Sequence, residues 1–223
     1  MGLMSFGAPQ YLVLALARHF DSDDFVETGT FRGDTAEWAS RHFKRVTTVE
    51  RSPEHHLAAS ARLSAFANVR CVLGSSEECL SGILPFVAPH ALFWLDAHWC
   101  GGKSSTAGKD AACPVLQEIS AINRAGFDQI ILIDDARLFT NAHSSLYDDG
   151  SFPGIGEVMS LLNIDNKRYT IITDDVIVSL PAAEEQALWR ILKGDPDRIW
   201  GDTTKKALRI ARELKGSLSR SWS

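Results

Sequence analysis

Residues 25–33, Phe-Val-Glu-Thr-Gly-Thr-Phe-Arg-Gly, constrain the fold more than any other stretch of the chain. A short strand-type run leads into Glu27, a turn lies between Gly29 and Gly33, and residues 34–43 predict a helix. In α/β domains, strand, glycine turn and helix in this order bring backbone N–H groups to a nucleotide-like ligand. Gly29 can take a positive φ, and Gly33 lets the helix pack closely on the strand. The G-x-x-x-G spacing departs from the dinucleotide fingerprint but fits a mononucleotide or nucleoside. An ordinary turn without a ligand is the alternative.

Strand-type runs alternate with helical patterns along the rest of the chain, which predicts an α/β fold with helices on both faces of one sheet. The runs at 89–96 and 129–135 are apolar on both faces, as central parallel strands are. The last two runs are separated only by Asp174-Asp175 and must form an antiparallel hairpin, so the sheet is mostly parallel. Residues 136–152 are polar and predict a loop. The predicted strands are 25–27, 45–50, 68–73, 89–96, 129–135, 168–173 and 176–180, and the predicted helices are 9–20, 34–43, 52–66, 114–125, 153–162, 182–192 and 203–214. Residues 74–80 predict a turn and the start of a further helix, where Ser76 or Glu77 can receive the edge of an adenine or can equally cap the helix.

The composition suits a single globular domain, since 45% of the 223 residues are hydrophobic. We expect one domain over 1–223, with an N-terminal helix in 1–24, a core at 25–180 and a C-terminal helical extension at 181–223. The net charge of −5 argues against a general nucleic-acid-binding surface. The sequence shows neither a leader pattern nor a run long enough to span a membrane, so we expect a soluble cytoplasmic protein.

The four cysteines, Cys71, Cys79, Cys100 and Cys113, form no C-x-x-C pair. Cys71 lies in a strand pattern, where a buried free thiol is expected. Cys100 and Cys113 flank a polar segment close to His98 in sequence. A zinc site or a disulfide there is the alternative to free thiols.

Acidic residues follow four of the predicted strands: Glu27, Glu50, Asp96 and the pair Asp134-Asp135. Ligands of open parallel sheets bind at the carboxyl ends of the strands, so these acids should share one edge with the ligand. Glu50 ends the second strand, where an acid accepts hydrogen bonds from ribose hydroxyls in nucleotide-binding folds. The alternative for Glu50 is a solvated acid at the end of a strand.

Asp96, Asp134 and Asp135 should converge, because their strands are expected to be neighbours about 5 Å apart. Three carboxylates without a thiol favour a hard divalent cation, most simply Mg²⁺. The alternative is that each aspartate caps a following turn. His98 lies two residues after Asp96, and its ordinary pKa suits a general base near neutral pH. It can instead bind the metal or pack beside Trp99, and Lys103 is a second candidate base.

Taken in order, these segments resemble class I S-adenosylmethionine-dependent methyltransferases, in particular the metal-dependent catechol-type and macrocin-type O-methyltransferases. Residues 27–33 have the E-x-G-x-x-x-G form of motif I, and Glu50 matches the acid that binds the cofactor ribose. Residues 74–77 resemble the segment that borders the adenine. Residues 93–99 and 133–135 resemble the two metal-binding segments. The resemblance implies a Rossmann-like methyltransferase fold with a seven-stranded sheet.

The resemblance also implies the chemistry. S-adenosylmethionine would lie over the glycine turn, and Mg²⁺ would bind an acceptor hydroxyl whose proton His98 removes. In the macrocin-type enzymes the residue two positions after the first metal aspartate is the base; it is commonly an acid there and is histidine in this chain. The implied catalytic residues are His98 and Asp96, and the implied metal ligands are Asp96, Asp134 and Asp135. The implied cofactor contacts are Glu27, Thr28, Gly29, Thr30, Phe31, Gly33, Glu50, Arg51, Ser75, Ser76, Glu77 and Asp96.

The expected acceptor is a small molecule or a saccharide, and a homodimer through the first and C-terminal helices is possible. Residues 99–113 should contact the acceptor, although they match neither branch closely. Two rival functions remain at this point. One is a metal-dependent hydrolase that uses the acidic cluster Asp96, Asp134 and Asp135 on water, and the other is a cofactor-binding module without catalysis.

Overall fold

The computed structural model describes residues 7–98, 113–140 and 152–194, and these form one seven-stranded sheet with helices on both faces. The strands are β1 (Asp24–Thr28), β2 (Arg45–Glu50), β3 (Val69–Leu73), β4 (Leu92–Leu95), β5 (Ile130–Ile133), β6 (Arg168–Thr173) and β7 (Val176–Pro181). Their order in the sheet is β3-β2-β1-β4-β5-β7-β6. All neighbouring strands pair in parallel except at β7, which is antiparallel to both β5 and β6. The predicted mostly parallel sheet with an antiparallel terminal hairpin is confirmed.

The helices divide into two layers, one on each face of the sheet. The first layer packs on Phe25, Leu92 and Trp94, and the second packs on Val26, Phe93 and Ile131. The first layer consists of α1 (Gln10–Phe20), α2 (Asp34–Ser40), α3 (Pro53–Leu63) and α8 (Glu185–Lys193). The second consists of α4 (Ser76–Ile83), α5 (Val115–Ala125), α6 (Ala136–Thr140) and α7 (Ile155–Leu162). Strands β4 and β5 are buried along their whole length, as their apolar sequences predict.

Helix α6 corrects one prediction, because it begins inside residues 136–152, which the sequence predicts to be a loop. Its five residues are too few to show a helical pattern. The turn between β6 and β7 stabilises its start: the backbone N–H of Ala136 donates to the carbonyl of Asp175, and that of Arg137 donates to its carboxylate. The predicted helix 203–214 and the candidate base Lys103 lie outside the described residues. Within the described ranges, no helix is both long and apolar enough to cross a membrane.

The glycine turn after β1 is locked between the two neighbouring strands. The backbone N–H groups of Gly29 and Thr30 both donate to the carbonyl of Val49, at 2.9 and 3.2 Å. On the other side, a Cβ on Gly29 would lie 2.3 Å from the carbonyl oxygen of Asp96. Gly29 also has a φ of +87°, so both its backbone conformation and its close packing require glycine.

We therefore expect Gly29→Ala to lower the free energy of unfolding by at least about 2 kcal/mol, from backbone strain and the clash with Asp96. Urea denaturation measures this. Gly82→Ala is the matched control, because Gly82 lies in α4 with open space around it. That variant should stabilise the protein by up to about 1 kcal/mol. Equal effects of the two substitutions would contradict the account of the turn.

Candidate functional site

Glu50 is fixed at the end of β2 by two backbone donors from different loops. Its Oε2 accepts from the N–H of Phe31 at 2.8 Å, and its Oε1 accepts from the N–H of Ser52 at 2.8 Å. Ser52 is the N-cap of α3, where its side chain accepts from the N–H of His55. Each carboxylate oxygen has a second lone pair, so Glu50 can still accept from two ligand hydroxyls. The ribose contact of Glu50 stays a prediction.

An aromatic wall lies beside Glu50. Phe31 has a left-handed backbone with a φ of 48°, and its ring is partly exposed. It meets the ring of His55 edge-on at 5.0 Å between centroids, and the guanidinium of Arg32 lies 5.1 Å from its centroid. Arg51, another predicted cofactor contact, is exposed directly after Glu50.

Glu27 is a buried acid at the end of β1 that forms no ion pair with any described basic residue. Its Oε2 accepts from the hydroxyl of Thr48 at 2.6 Å. Burial raises its pKa to about 8; the charges of Glu50 and Asp34 add to this effect, and hydrogen bonds from Thr48 and Thr35 oppose it. Glu27 is therefore mostly protonated at neutral pH in the free protein.

A cavity of about 320 Å³ lies directly over the glycine turn. It gives a ligand access to Glu27, and its wall also includes the predicted site residue Asp96. The other lining residues are Gly7, Ala8, Gln10, Gly29, Thr30, Phe31, Arg32, Asp34, Thr35 and Trp38. A second, larger cavity of about 500 Å³ lies at the opposite edge of the sheet, around Asp24, Arg45 and Arg70, away from the acidic strand ends.

The start of α4 contains the segment predicted to border the adenine. Ser75 is the N-cap residue, and its buried hydroxyl has no partner among the described residues. Ser76 is buried, and its hydroxyl lies 3.5 Å from the carboxylate of Glu77. The hydroxyl of Ser75, which has no described partner, leaves a hydrogen-bonding position for a ligand at the start of the helix.

Glu118, in the first turn of α5, is not among the predicted site residues although it belongs to the same region. It is 1% exposed, and burial raises its pKa despite hydrogen bonds with Ser76 and Thr28. One of its carboxylate oxygens has no described partner. Its position in the helix is the available signal, because it follows the buried Val115 by three residues and so faces the core.

The acids at the ends of β4 and β5 do converge, but each has a different environment. Asp134 accepts the N–H of Asp135 on Oδ1 at 2.7 Å. Asp135 has a left-handed backbone with a φ of 54°. Its Oδ2 lies 3.1 Å from Nε2 of His98, and its Oδ1 lies 2.6 Å from the guanidinium of Arg137. Both carboxylate oxygens of Asp135 thus have nitrogen partners.

The predicted magnesium ligands are therefore not the residues whose donor atoms lie closest together in the structure. Among the described residues, the donor atoms that lie within 4.8 Å of one another belong to Asp96, His98 and Asp135. Imidazole is a poor ligand for Mg²⁺, which prefers oxygen donors. Asp135 is also already paired with the cation of Arg137. The described residues do not fit a magnesium ion bound by Asp96, Asp134 and Asp135.

Buried negative charge perturbs the titration of this cluster. Burial and the neighbouring charge of Asp134 raise the pKa of Asp96 well above its usual range. Burial and the charge of Asp135 raise the pKa of Asp134 to about 7. Burial is the largest effect on the pKa of His98 and lowers it, but the hydrogen bond to Asp135 and the nearby carboxylates outweigh burial, so the net pKa is raised. The site contains more acid than its described cations balance.

The other predicted site residues shape the turns around this cluster. Thr28 is buried, and its hydroxyl accepts from the N–H of Asp96 at 3.3 Å. The hydroxyl of buried Thr30 lies 2.5 Å from that of Thr48. Gly33 is the N-cap of α2, with a φ of +79°. The predicted cofactor contacts of these residues stay predictions.

Three cysteines lie among the described residues, Cys71, Cys79 and Cys113, and all three are free. Cys71 is only partly buried, whereas Cys113 is buried, and burial raises its thiol pKa to about 12. Trp99, Cys100 and Lys103 lie outside the described residues, so the structure does not test the alternative of a zinc site or a disulfide with Cys100.

No family model and no curated protein matches this sequence. Solved structures do match its architecture. The O-methyltransferase TomG of Streptomyces achromogenes, which is involved in tomaymycin synthesis and was solved with SAM, is 19% identical with a TM-score of 0.57 over 80% of this chain and 82% of its own. An O-methyltransferase of Bacillus cereus solved with SAH is 14% identical, with a TM-score of 0.55 over 79% and 82%. The SAH-bound methyltransferase PaMTH1 of Podospora anserina is 19% identical, with a TM-score of 0.53 over 79% and 80%.

The chain has the Rossmann-like methyltransferase fold. In such a sheet the ligand site lies outside the carboxyl ends of the strands, on both sides of the point where the strand order reverses. Here that point lies between β1 and β4. Glu27 and Asp96 directly flank it, and the cavity over the glycine turn opens there.

Glu27 should make the stability of this fold fall as the pH rises. The folded protein keeps Glu27 protonated up to about pH 8, whereas the unfolded chain loses that proton near the ordinary value of 4.5. Between these pH values the folded state binds more protons, so unfolding becomes easier by up to about 1.4 kcal/mol per pH unit. Glu27→Gln should make the slope measured by urea unfolding shallower, because Asp134 and the other buried acids with raised pKa values still contribute. Glu54→Gln, at an exposed acid in α3, should keep the wild-type slope. Parallel pH profiles of wild type and Glu27→Gln would contradict the assignment.

Proposed function

We propose that this protein is an S-adenosylmethionine-dependent O-methyltransferase that acts on a hydroxyl group of a small molecule or a saccharide. The observation that carries the proposal is the carboxylate of Glu50, fixed by Phe31 and Ser52 at the edge of the sheet where the cavity opens. Three proteins of similar fold were solved with SAM or SAH, and two of these are named O-methyltransferases. The resemblance of the acidic and glycine segments to such enzymes supports the same function.

The cofactor would lie across the turn between Gly29 and Gly33. Its ribose hydroxyls would donate to Glu50, and its adenine would meet the start of α4 at 75–77. The ammonium and sulfonium groups of the cofactor would lie near the acids Glu27 and Asp96. Glu27 is buried and has no described basic partner, so a cationic group of the cofactor can pair with it. Thr28, Thr30, Phe31 and Arg51 are the remaining proposed contacts, through their backbone or side chains.

His98 is the proposed general base, and Asp96 orients the reacting groups. The acceptor oxygen attacks the methyl carbon of the cofactor while the bond from that carbon to sulfur breaks, and the hydroxyl proton passes to His98. The products are a methyl ether and neutral S-adenosylhomocysteine. Much of the acceleration comes from holding oxygen, carbon and sulfur in line. The proton transfer to a well-placed base contributes about 10²–10⁴-fold.

Magnesium assistance is the part of the sequence-based hypothesis that the described side chains do not support. Because Asp135 is paired with Arg137 and the third close donor is an imidazole, no step of this mechanism uses a metal ion. The same mismatch disfavours a hydrolase that would activate water on Asp96, Asp134 and Asp135.

The choice between small molecule and saccharide, the possible homodimer and the cytoplasmic location stay predictions.

Calorimetric binding of S-adenosylhomocysteine tests the cofactor assignment. Wild type should bind, and Glu50→Ala should bind about 10–100-fold more weakly because it lacks a charged acceptor for the ribose. Glu54→Ala, which removes an exposed acid four residues later, is the matched control and should bind like wild type. Circular dichroism of each variant checks that it is folded. No binding by wild type, or equal binding by both variants, would contradict the proposal. Binding without methyl transfer to any hydroxyl compound would favour a cofactor-binding module.

A further inference from the structure

We infer that Arg137 takes the place of a metal ion in this site: it fixes Asp135, Asp135 orients the base His98, and methyl transfer proceeds without a divalent cation. This inference rests on the proposed function for the methyl transfer and for the role of His98 as the base. Arg137, Asp135 and Asp175 are positioning residues, and their arrangement is a property of the free protein.

Asp135 is the central member of this chain of contacts, and its backbone is held on both sides. Its N–H donates to the side chain of Asp134 at 2.7 Å, and its carbonyl accepts from the N–H of Leu138 at 2.8 Å. Asp135 is 5% exposed, so its carboxylate has little water to stabilise its charge. The partners of that carboxylate, Arg137 on Oδ1 and His98 on Oδ2, are the groups that stabilise it.

Arg137 is held in turn by the turn between β6 and β7. Its guanidinium bonds to the carboxylate of Asp175, which is itself 5% exposed. The same carboxylate accepts the backbone N–H of Arg137 at 2.9 Å. The guanidinium therefore bridges two buried carboxylates, Asp135 and Asp175. Guanidinium stays charged at all relevant pH values and forms several directed hydrogen bonds, so it suits this bridging position.

His98 is oriented by the opposite side of Asp135 and by two aromatic rings. Phe139 and Phe152 each meet the imidazole edge-on, at 5.9 Å between centroids. Because a carboxylate only accepts hydrogen bonds, Nε2 of His98 carries the hydrogen that is shared with Asp135. In the neutral ring the lone pair is then on Nδ1. A carboxylate also sets the tautomer of the base in the catalytic triads, although there it binds Nδ1 and not Nε2.

A metal ion at Asp135 would have to compete with this arrangement. It would displace the guanidinium from Oδ1 and leave Arg137 with Asp175 alone. It would also require the imidazole of His98 as a ligand, which would remove the base from the reaction. Arg137 supplies positive charge beside Asp135 without either cost, and its position 2.6 Å from Oδ1 is that of a direct ion pair.

Nitrogen-15 NMR of the histidine side chains in the full chain tests this arrangement without any ligand. The chain has seven histidines, and His98→Gln assigns the signal of His98 by its loss. On the alkaline side of its titration, His98 should show protonated Nε2 and unprotonated Nδ1. Arg137→Met should shift the ring toward a mixture of tautomers, and Arg137→Lys should restore part of the preference. Arg124→Met, at an exposed arginine of α5, is the matched control and should change nothing.

Wild-type protein with hydrogen on Nδ1, or an unchanged His98 signal in Arg137→Met, would overturn the inference. Because this readout needs no cofactor, a failure of the proposed function leaves it intact, and the two failures are distinguishable.

Electron paramagnetic resonance with Mn²⁺ tests the metal-free part directly. Mn²⁺ should stay in its free form when wild-type protein is added. Binding of Mn²⁺ by wild type that Asp135→Asn abolishes would overturn the inference. Once an acceptor is found, EDTA should leave the turnover of wild type unchanged, and Arg137→Met should lower kcat by about 10-fold or more because the base loses its orientation.

Discussion

Buried negative charge at the carboxyl edge of the sheet is the constraint on which the rest of the site depends. The parallel order of β2, β1, β4 and β5 places the acids that follow these strands side by side. Glu27 and Asp134 are 2% and 5% exposed, and burial, with the charge of neighbouring acids, raises the pKa of both carboxyl groups. A buried carboxylate without a partner is costly, so each acid needs a hydrogen-bonding group, a cation or a proton.

The structure meets this need in different ways on the two sides of the site. On the β5 side the compensation is internal, since Arg137 and His98 take the two oxygens of Asp135. On the β1 side the described residues offer Glu27 hydroxyl groups but no cation, so it takes a proton in the free protein. A cationic ligand in the adjoining cavity would replace that proton. The side that lacks an internal cation is thus the side proposed for the positively charged cofactor.

Much of this arrangement can be predicted from the sequence, because it depends on the apolar pattern of each strand and on the residue that follows the strand. Apolar strands with acids at their ends place Glu50 and Asp96 at one edge, and the Asp174-Asp175 turn makes the last two strands a hairpin. The partners of Asp135 cannot be read in this way. They depend on its left-handed backbone and on Asp175, which lies 40 positions later and also starts the short helix α6. For Glu118 the spacing from Val115 indicates burial, but its hydrogen bonds with Ser76 and Thr28 depend on how α5 packs against its neighbours.

Proton release on cofactor binding is the measurement that tests the central claim most directly. Calorimetry of S-adenosylmethionine near pH 7, in buffers of different ionisation enthalpy, counts the protons that leave the protein. The account predicts a net release of protons with S-adenosylmethionine, because Glu27 ionises beside the cation. The release should be smaller with S-adenosylhomocysteine, which lacks the sulfonium charge. It should also be smaller in Glu27→Gln than in wild type. A buffer-independent enthalpy, or equal release in Glu27→Gln and wild type, would contradict the claim that the cofactor balances this buried charge.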